Sequence, residues 1–371
     1  MKNTFGSSIT ITLFGESHGT AIGAVLDGLS PGIKIDMEYI EKKIDQRRPV
    51  GRISTQRKEA DEVEFISGVY NGYTTGTPLA IIIKNENMRS GDYNSVSRLM
   101  RPSHADLTAS FKYDGFEDYR GGGHFSGRIT AAIVAAGAIM MKALEDKGIY
   151  IGSHLKRCAG VCDREFENYK DDIRSLDCND FPMLDKSAAE KAISNIEAAT
   201  QDGDSVGGIV ETVIYGMKKG IGEPWFDTVE SMLAHAIFAV PAVKGVEFGA
   251  GFAMTDMKGS EANDPIKCES GRYVTATNNN GGINGGITNG MPIIFRTAVK
   301  PTPSIFKPQE TVDIISGSNA ILELKGRHDP AIVHRARAVI DAITAITVAD
   351  LLTCHFGTNY LMTEKNMPEE K

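Results

Sequence analysis

Arg120-Gly121-Gly122-Gly123-His124-Phe125-Ser126-Gly127-Arg128 is the stretch on which the reading of this chain turns. Three consecutive glycines let the backbone aim its amides at one point, with no Cβ to block a ligand. The run feeds Ile129 to Lys147, an apolar segment that reads as a helix closed by Gly148. A loop at a helix N-terminus offers N–H groups and the positive dipole end, which favour an anion. Ser126 adds a hydroxyl donor, and Arg120 and Arg128 bracket the loop with positive charge. The functional reading is a pocket for a phosphate or carboxylate; the structural alternative is a tight turn that only lets strand and helix pack. Two nucleotide-binding readings lose ground at once. Gly122 to Ile129 has the Walker spacing without its Lys or Ser/Thr, and a dinucleotide fingerprint needs glycine where this chain has Ser126.

A chain of 371 residues, 41% hydrophobic and 24% charged, has the composition of a globular protein with ample core. No apolar run reaches membrane-spanning length without interruption, and Met1-Lys2-Asn3-Thr4 leads straight into a strand pattern without a signal-peptide core. Cys158, Cys162, Cys178, Cys268 and Cys354 are odd in number and lack metal-ligand spacing, so a reducing compartment, the cytoplasm, is expected and no metal site is. A net charge of −8 disfavours nucleic-acid binding. Arg47, Arg48, Arg52 and Arg57 nevertheless cluster, as in an enzyme whose cleft focuses a positive field on a small polyanion. A solvated face with Glu59, Asp61 and Glu62 as partners is the equally weighted alternative.

Ser8 to Phe14 alternates as a half-buried strand, Gly15-Glu16-Ser17-His18-Gly19 breaks it, and Ala21 to Leu26 returns. Asp36 caps a helix to Gln46 that Pro49 stops. Strands follow near Val63 to Tyr70 and Leu79 to Lys84, then a long irregular segment, 85–128, rich in polar side chains. Tyr150 to Leu155 reads as a strand, 162–186 as an acidic surface excursion, and Ser187 to Thr200 as a helix begun by Ser187. Ser205 to Tyr215 is a strand, Phe226 to Val240 a buried helix, and an apolar strand follows Ala242. After the glycine-rich Asn278 to Gly290, Met291 to Val299 is a strand. Asp329 as N-cap and Pro330 at the first helical position open the last helix. No linker or short repeat is visible. Mixed α/β (α+β) layers are expected, in one domain over 1–356 with a polar tail at 357–371.

Gly15 to Gly19 fits Gly-x-Ser-x-Gly, but a nucleophile elbow needs a helix after it and a strand-like run follows. His18 is the better candidate, since imidazole exchanges protons in either direction near neutrality. His104 sits in Arg101-Pro102-Ser103-His104-Ala105-Asp106, where Asp106 would orient the ring. Asp329 reads either as a helix cap or as a base weakened by its donor-rich setting. A histidine satisfied in a turn is the ordinary alternative for each ring.

Taken together, Gly15-Glu16-Ser17-His18-Gly19, Asp45-Gln46-Arg47-Arg48-Pro49, Arg101-Pro102-Ser103-His104-Ala105-Asp106, Tyr119-Arg120-Gly121-Gly122-Gly123, Val243-Lys244-Gly245-Val246-Glu247, Gly281-Gly282-Ile283-Asn284-Gly285-Gly286, Lys300-Pro301-Thr302 and Gly326-Arg327-His328-Asp329-Pro330 resemble, in order, the motifs of the chorismate synthase family. The resemblance implies a β-α-β sandwich of antiparallel-rich sheets and long buried helices, assembled as a homotetramer. It implies an FMN-dependent lyase that converts 5-enolpyruvylshikimate 3-phosphate to chorismate and phosphate, a 1,4-elimination with no net redox change. Reduced FMN carries the hard step because the hydrogen lost from C6 has no adjacent carbonyl to acidify it. By the same resemblance Arg47, Arg48, Arg52, Arg128 and Arg335 bind substrate, with Arg47 and Arg52 also linked to NADPH, which enters only as a reductant. His18 protonates the leaving phosphate, His104 serves the flavin near N1, Asp329 assists at N5, and Ser17 and Ser126 support the relay. FMN meets His124, Phe125, Ser126, Pro241, Ala242, Gly285, Lys300, Pro301, Thr302, Pro303, Ser304 and Arg327. His124, Gly127, Pro241 and His334 depart from the family's usual residues. A serine hydrolase using Ser17 and a non-enzymatic anion-binding protein are the competing classes.

Overall fold

The computed structural model describes residues 2–49, 51, 53–54, 60–86, 98–324 and 329–363. The first sheet is built from β1 (Thr4–Phe5), β2 (Thr10–Gly15), β3 (Ala21–Asp27), β4 (Val63–Ser67) and, after the small hairpin β5 (Val69–Tyr70) and β6 (Tyr73–Thr74), β7 (Leu79–Lys84). Its order is β1-β2-β3-β7-β4, antiparallel throughout. The second sheet uses β8 (Tyr150–Cys158), β9 (Val161–Cys162), β10 (Gly208–Tyr215), β11 (Val243–Phe248) and β16 (Ile293–Val299). Between the last two lie the hairpins β12 (Ile266–Glu269) with β13 (Arg272–Thr275) and β14 (Ile283–Asn284) with β15 (Ile287–Thr288). β17 (Gln309–Asp313) and β18 (Ser318–Leu322) form one more hairpin. The second sheet runs β11-β16-β10-β8-β9, again antiparallel. Strict alternation in Leu79, Ile81 and Ile83, and in Ile293, Phe295, Thr297 and Val299, turns one face of each sheet inward.

The described helices are α1 (Met37–Arg47), α2 (Asp106–Tyr113), α3 (Thr130–Asp146), α4 (Tyr169–Leu176), α5 (Lys186–Gln201), α6 (Val229–Phe238), α7 (Gly259–Ala262) and α8 (Val333–Phe356). α3 packs on β3 and β7, α8 on β8 and β10, and the two helices pack on each other, giving sheet, helices, sheet. Gly137 permits that approach: a Cβ there would lie 2.5 Å from the Ala342 Cα. Alanines on α3 and α8 thin the layer further, so one continuous core joins both sheets. Both helices are long and apolar enough to span a membrane by composition, but their windows are 89% and 83% buried inside this core. Asp350 of α8, buried, accepts from the Ser7, Ser8 and Ile9 N–H groups at 2.7–2.9 Å and pins the start of β2.

The expected sandwich is present, with local corrections. α2 lies in the segment expected to be irregular, and α4, capped by Asn168, lies in the supposed acidic excursion, where hydrophobic Ile173 and Leu176 are buried. α5 is capped by Asp185, whose carboxylate accepts from Ser187 and Ala188 N–H, rather than by Ser187. α6 is shorter than expected: Thr228 caps it, and Trp225 and Phe226 stand outside, exposed. α8 begins at Val333 with no side-chain cap, because the Asp329 carboxylate is taken by Arg335. The chain beyond α8 turns back, with Leu361 buried and Thr358 O accepting from Ser30 Oγ.

Candidate active site

The connection from β2 to β3 carries Ser17 and His18, both buried. Three neighbours hold it. Ser17 N donates to Gly123 O at 3.0 Å, His124 Nδ1 donates to Gly15 O at 2.8 Å, and Asn85 Nδ2 donates to Glu16 O and Gly19 O at 3.0 and 2.8 Å. Gly121, Gly122 and Gly123 all have positive φ, 61°, 84° and 52°. A Cβ on Gly121 would sit 2.5 Å from His18 Nδ1 and 3.0 Å from Ser17 Oγ, so the glycine is what lets the imidazole lie on the loop. Arg120 forks onto Asp118, both N–H···O distances 2.8 Å. That hydrogen-bonded guanidinium, more than burial opposes it, holds the Asp118 carboxyl below its usual range.

Asn85 leads from this turn into a cationic crevice, since its Oδ1 accepts from Arg128 Nε at 2.9 Å. Arg128 Nη1 also pairs with Asp61, whose other oxygen takes Arg47 Nη1 at 3.2 Å. Arg47 Nε donates to Thr130 Oγ1 at 2.9 Å and its Nη2 to Gly127 O at 2.9 Å. One buried carboxylate thus serves two buried guanidinium groups and leaves a net positive charge, which low dielectric makes strong. Arg335 enters from α8, donating through Nε to Arg47 O at 2.8 Å and through Nη1 to Asp329. Arg48, half exposed, pairs with Asp45 and reaches Ala60 O. These arginines, Asp61, Asp329, Ser126, Thr130 and Pro241 line a crevice of about 320 Å³, within the size range of small-molecule sites.

A third group lies on the strand ends. Lys300 N donates to Ala242 O at 3.0 Å and its ammonium to Ser103 O at 2.6 Å. Burial, then Lys244, lowers the Lys300 pKa. Ser304 Oγ, buried, is 2.7 Å from His104 Nε2. Asp106, expected to orient that ring, instead forks onto Arg101 at 2.7 Å through both oxygens. Ser304 holds the ring at Nε2, and the Asp106 charge acts on it from the Arg101 side. Arg101 Nη2 would lie 3.8 Å from a Cβ on Gly122, so the 101–106 segment meets the glycine loop one residue past its contact with His18.

Of the expected site residues, Ser17, His18, His104, His124, Ser126, Arg128, Arg47, Arg48, Arg335, Asp329, Pro241, Ala242, Lys300 and Ser304 thus lie on three connected clusters. Thr302 and the neighbouring Pro301 and Pro303 continue the strip beside Lys300. Phe125 is exposed, edge-on to Tyr113 at 6.1 Å. Gly285 stands apart from the crevice, at the tip of the β14–β15 hairpin, with nothing within 4 Å of a Cβ. Arg52 and Arg327 lie outside the described residues. Sequence reasoning missed Asn85 and Thr130 as organisers, and it named Asp61 only as one of three acidic partners on a solvated face, whereas the residue is buried. Asp61 stood in the sequence as one acid among several, and no local pattern marks a side chain whose partners are 14 and 67 positions away.

An imidazole laid on a glycine loop, joined through Asn85 to a crevice of guanidinium groups, defines an α/β enzyme that handles a small polyanion. Comparison with known proteins narrows this. Residues 9–353 match the family model described as chorismate synthase. The chain is 44% identical over 347 residues to the chorismate synthase of Thermococcus kodakarensis, covering 94% of this chain and 96% of that one. It is 46% identical over 348 residues to that of Pyrococcus abyssi, with coverage of 94% and 96%. A solved structure described as a chorismate synthase superposes with a TM-score of 0.73 at 28% identity, covering 96% of this chain and 95% of the other. The chain belongs to the chorismate synthase family.

Proposed function

We propose that this enzyme is a lyase of the shikimate pathway that eliminates phosphate from 5-enolpyruvylshikimate 3-phosphate to give chorismate, with reduced FMN as cofactor. The observation that carries the reading is the crevice lined by Arg47, Arg48, Arg128 and Arg335, on which Asp61 and Asp329 are the two carboxylates among the described residues. A substrate with one phosphate and two carboxylates matches that surplus. Arg47 and Arg128 are tied into the framework and supply potential, while Arg48 and Arg335, more exposed, supply contacts; Arg52 joins them from its place in the sequence.

The residues assigned to FMN suit it chemically. Thr302 Oγ1 is buried and lacks a hydrogen-bond partner among the described residues, beside the ammonium of Lys300 and the hydroxyl of Ser304. An ammonium and two hydroxyls are a donor set for a phosphate tail. His124, Phe125, Ser126, Pro241, Ala242, Gly285, Pro301, Pro303 and Arg327 complete the set. When bound, reduced FMN supplies an electron-rich ring that lends electron density as phosphate leaves and regains it as the C6 hydrogen departs.

His18 gives its proton to the departing phosphate oxygen, with Ser17 and Ser126 supporting the relay. His104, hydrogen-bonded to Ser304, would be the acid serving the flavin near N1, and Asp329, held by Arg335, would assist near N5 in the removal of the C6 proton. NADPH enters only as a reductant, with Arg47 and Arg52 as its candidate contacts. Residues 1–356 form the catalytic domain and 357–371 its tail. The enzyme works in the cytoplasm as a homotetramer, and the exposed Phe116, Trp225, Phe226 and Phe252 support burial in an assembly.

Anaerobic phosphate release from the shikimate-derived substrate tests the reading. Release is expected with dithionite-reduced FMN and not without it. No release in either case overturns the proposal, and flavin-independent ester cleavage abolished by Ser17→Ala would replace it with a hydrolase.

A further inference from the structure

The two helices that wall the crevice also wall a second cavity on their other side. α1 contributes Lys42, Asp45 and Gln46, α8 contributes His334 and Arg337, and the loop after α4 closes it, in about 170 Å³. That is well above the ~10–15 Å³ a single water needs. Two buried polar atoms on its wall have no hydrogen-bond partner among the described residues: Gln46 Oε1 and Arg337 Nε. His334 and Arg337 are each 2% exposed. Buried polar atoms are normally satisfied, and a desolvated guanidinium with an idle N–H is costly.

The neighbours do not remove the need. Arg337 Nη1 is 3.2 Å from Asp341, a fully buried acid whose pKa burial pushes up and whose charge is correspondingly weakened. His334 Nε2 is engaged by Ser54 Oγ at 2.8 Å. Burial, then Arg335, holds this ring's pKa down to about 4, so it is neutral near pH 7, and with Ser54 on Nε2 and the Ala331 backbone beside the ring it asks nothing of the cavity. Gln46 Nε2 donates to Asp177 Oδ1 at 3.0 Å, and Asp177 is also bound by Lys43 at 2.6 Å, which leaves the Gln46 carbonyl waiting for a donor.

The wall therefore asks for an acceptor at Arg337 and a donor at Gln46. It also carries both signs, Arg337 and Lys42 against Asp45, Asp180 and Asp177, the last paired with Lys43. A simple anion would meet carboxylates there, and a simple cation would meet the guanidinium. We propose that this cavity binds a small α-amino acid, its carboxylate accepting from Arg337 Nε and its ammonium donating to Gln46 Oε1 on the side of Asp180. The site is separate from the crevice yet one residue from it on each helix, since Arg47 and Arg335 face the crevice and are joined by the 2.8 Å bond from Arg335 Nε to Arg47 O.

Calorimetric titration of the full chain with L-alanine tests this, with acetate and ethylamine as single-charge controls. Saturable binding of L-alanine is expected, about tenfold tighter than either control and about tenfold weaker in Gln46→Leu and Arg337→Gln. Because Arg337 is buried, Asp180→Asn on the exposed rim is the second variant, with weaker binding and an unchanged melting temperature. Inorganic phosphate should not displace L-alanine. Displacement by phosphate, equal binding of acetate, undiminished binding in Asp180→Asn and Gln46→Leu, or no binding up to about 10 mM would each overturn the assignment.

Discussion

Gly121 shows how much rests on one missing methyl group. Its φ of 61° and the 2.5 Å separation that a Cβ would have from His18 Nδ1 mean that alanine strains the backbone and displaces the imidazole together. Gly121→Ala should cost ~1–3 kcal/mol in denaturant unfolding and lose phosphate release out of proportion to that cost. The two histidines separate from it by a different signature. His18→Ala and His104→Ala should each reduce turnover by about 10²–10⁴-fold, the usual worth of a general acid, with cooperative unfolding retained. Near wild-type phosphate release from either variant would remove that residue from the chemistry. Asp106 forks onto Arg101 through two parallel hydrogen bonds, the stronger bidentate pairing, and acts on His104 from there through its charge.

Elements are locked to one another by buried charge. Asp61 joins Arg47 of α1 to Arg128 in the turn before α3, so Asp61→Asn removes the carboxylate that two buried guanidinium groups share. The variant should lose ~3–5 kcal/mol of stability by chemical denaturation, and a loss below 1 kcal/mol would show the triad to be solvent-compensated. A second lock crosses the outer sheet. His154, Glu211, Arg296 and Glu247 are successive cross-strand neighbours on β8, β10, β16 and β11. His154 holds Asp163 through Nδ1 at 2.6 Å and Glu211 through Nε2 at 3.1 Å. Burial opposes the ring's charge, but these two hydrogen bonds outweigh it and raise its pKa above 6.5. The same contacts, against burial, lower Asp163 and Glu211 below 3.8 and 4.5. The histidine's contribution is therefore complete below 6.5 and lost as pH rises through its raised folded value. The carboxylates' contribution is complete above their ordinary values and lost as pH falls through the lowered ones. The denaturation midpoint should be flat in mildly acidic solution and fall on both sides. In His154→Gln the alkaline fall should shrink, and an unchanged alkaline limb would show the ring to be uncharged in the fold.

The sandwich as a body depends on a helical layer thin enough for two sheets to share it. Gly137 against Ala342 and the alanine-rich faces of α3 and α8 set that thickness, and the outward surfaces are left with large apolar side chains. Light scattering should give four times the 40.1 kDa chain mass, and a monomer at micromolar concentration would count against the assembly proposed above.

Periodicity and punctuation in the residues were enough to establish the long strands of both sheets, though not the two-residue edge strands β1 and β9, together with α1 and its Asp36 cap and the α3 helix closed by Gly148, because alternation and capping are properties of neighbours in the chain. Ordered motifs were enough to point to the family, and the family model and relatives agree. What folding alone settled are the partnerships between distant residues. Asp329 does not cap α8 because Arg335 claims it, Arg120 is turned onto Asp118, and Asp61, one of three acids set beside the arginines in the sequence, is buried and unites two of them. Each is a competition among hydrogen-bonding groups for one carboxylate or guanidinium, and its outcome depends on which of them the fold brings within three ångströms, a quantity that no local spacing contains.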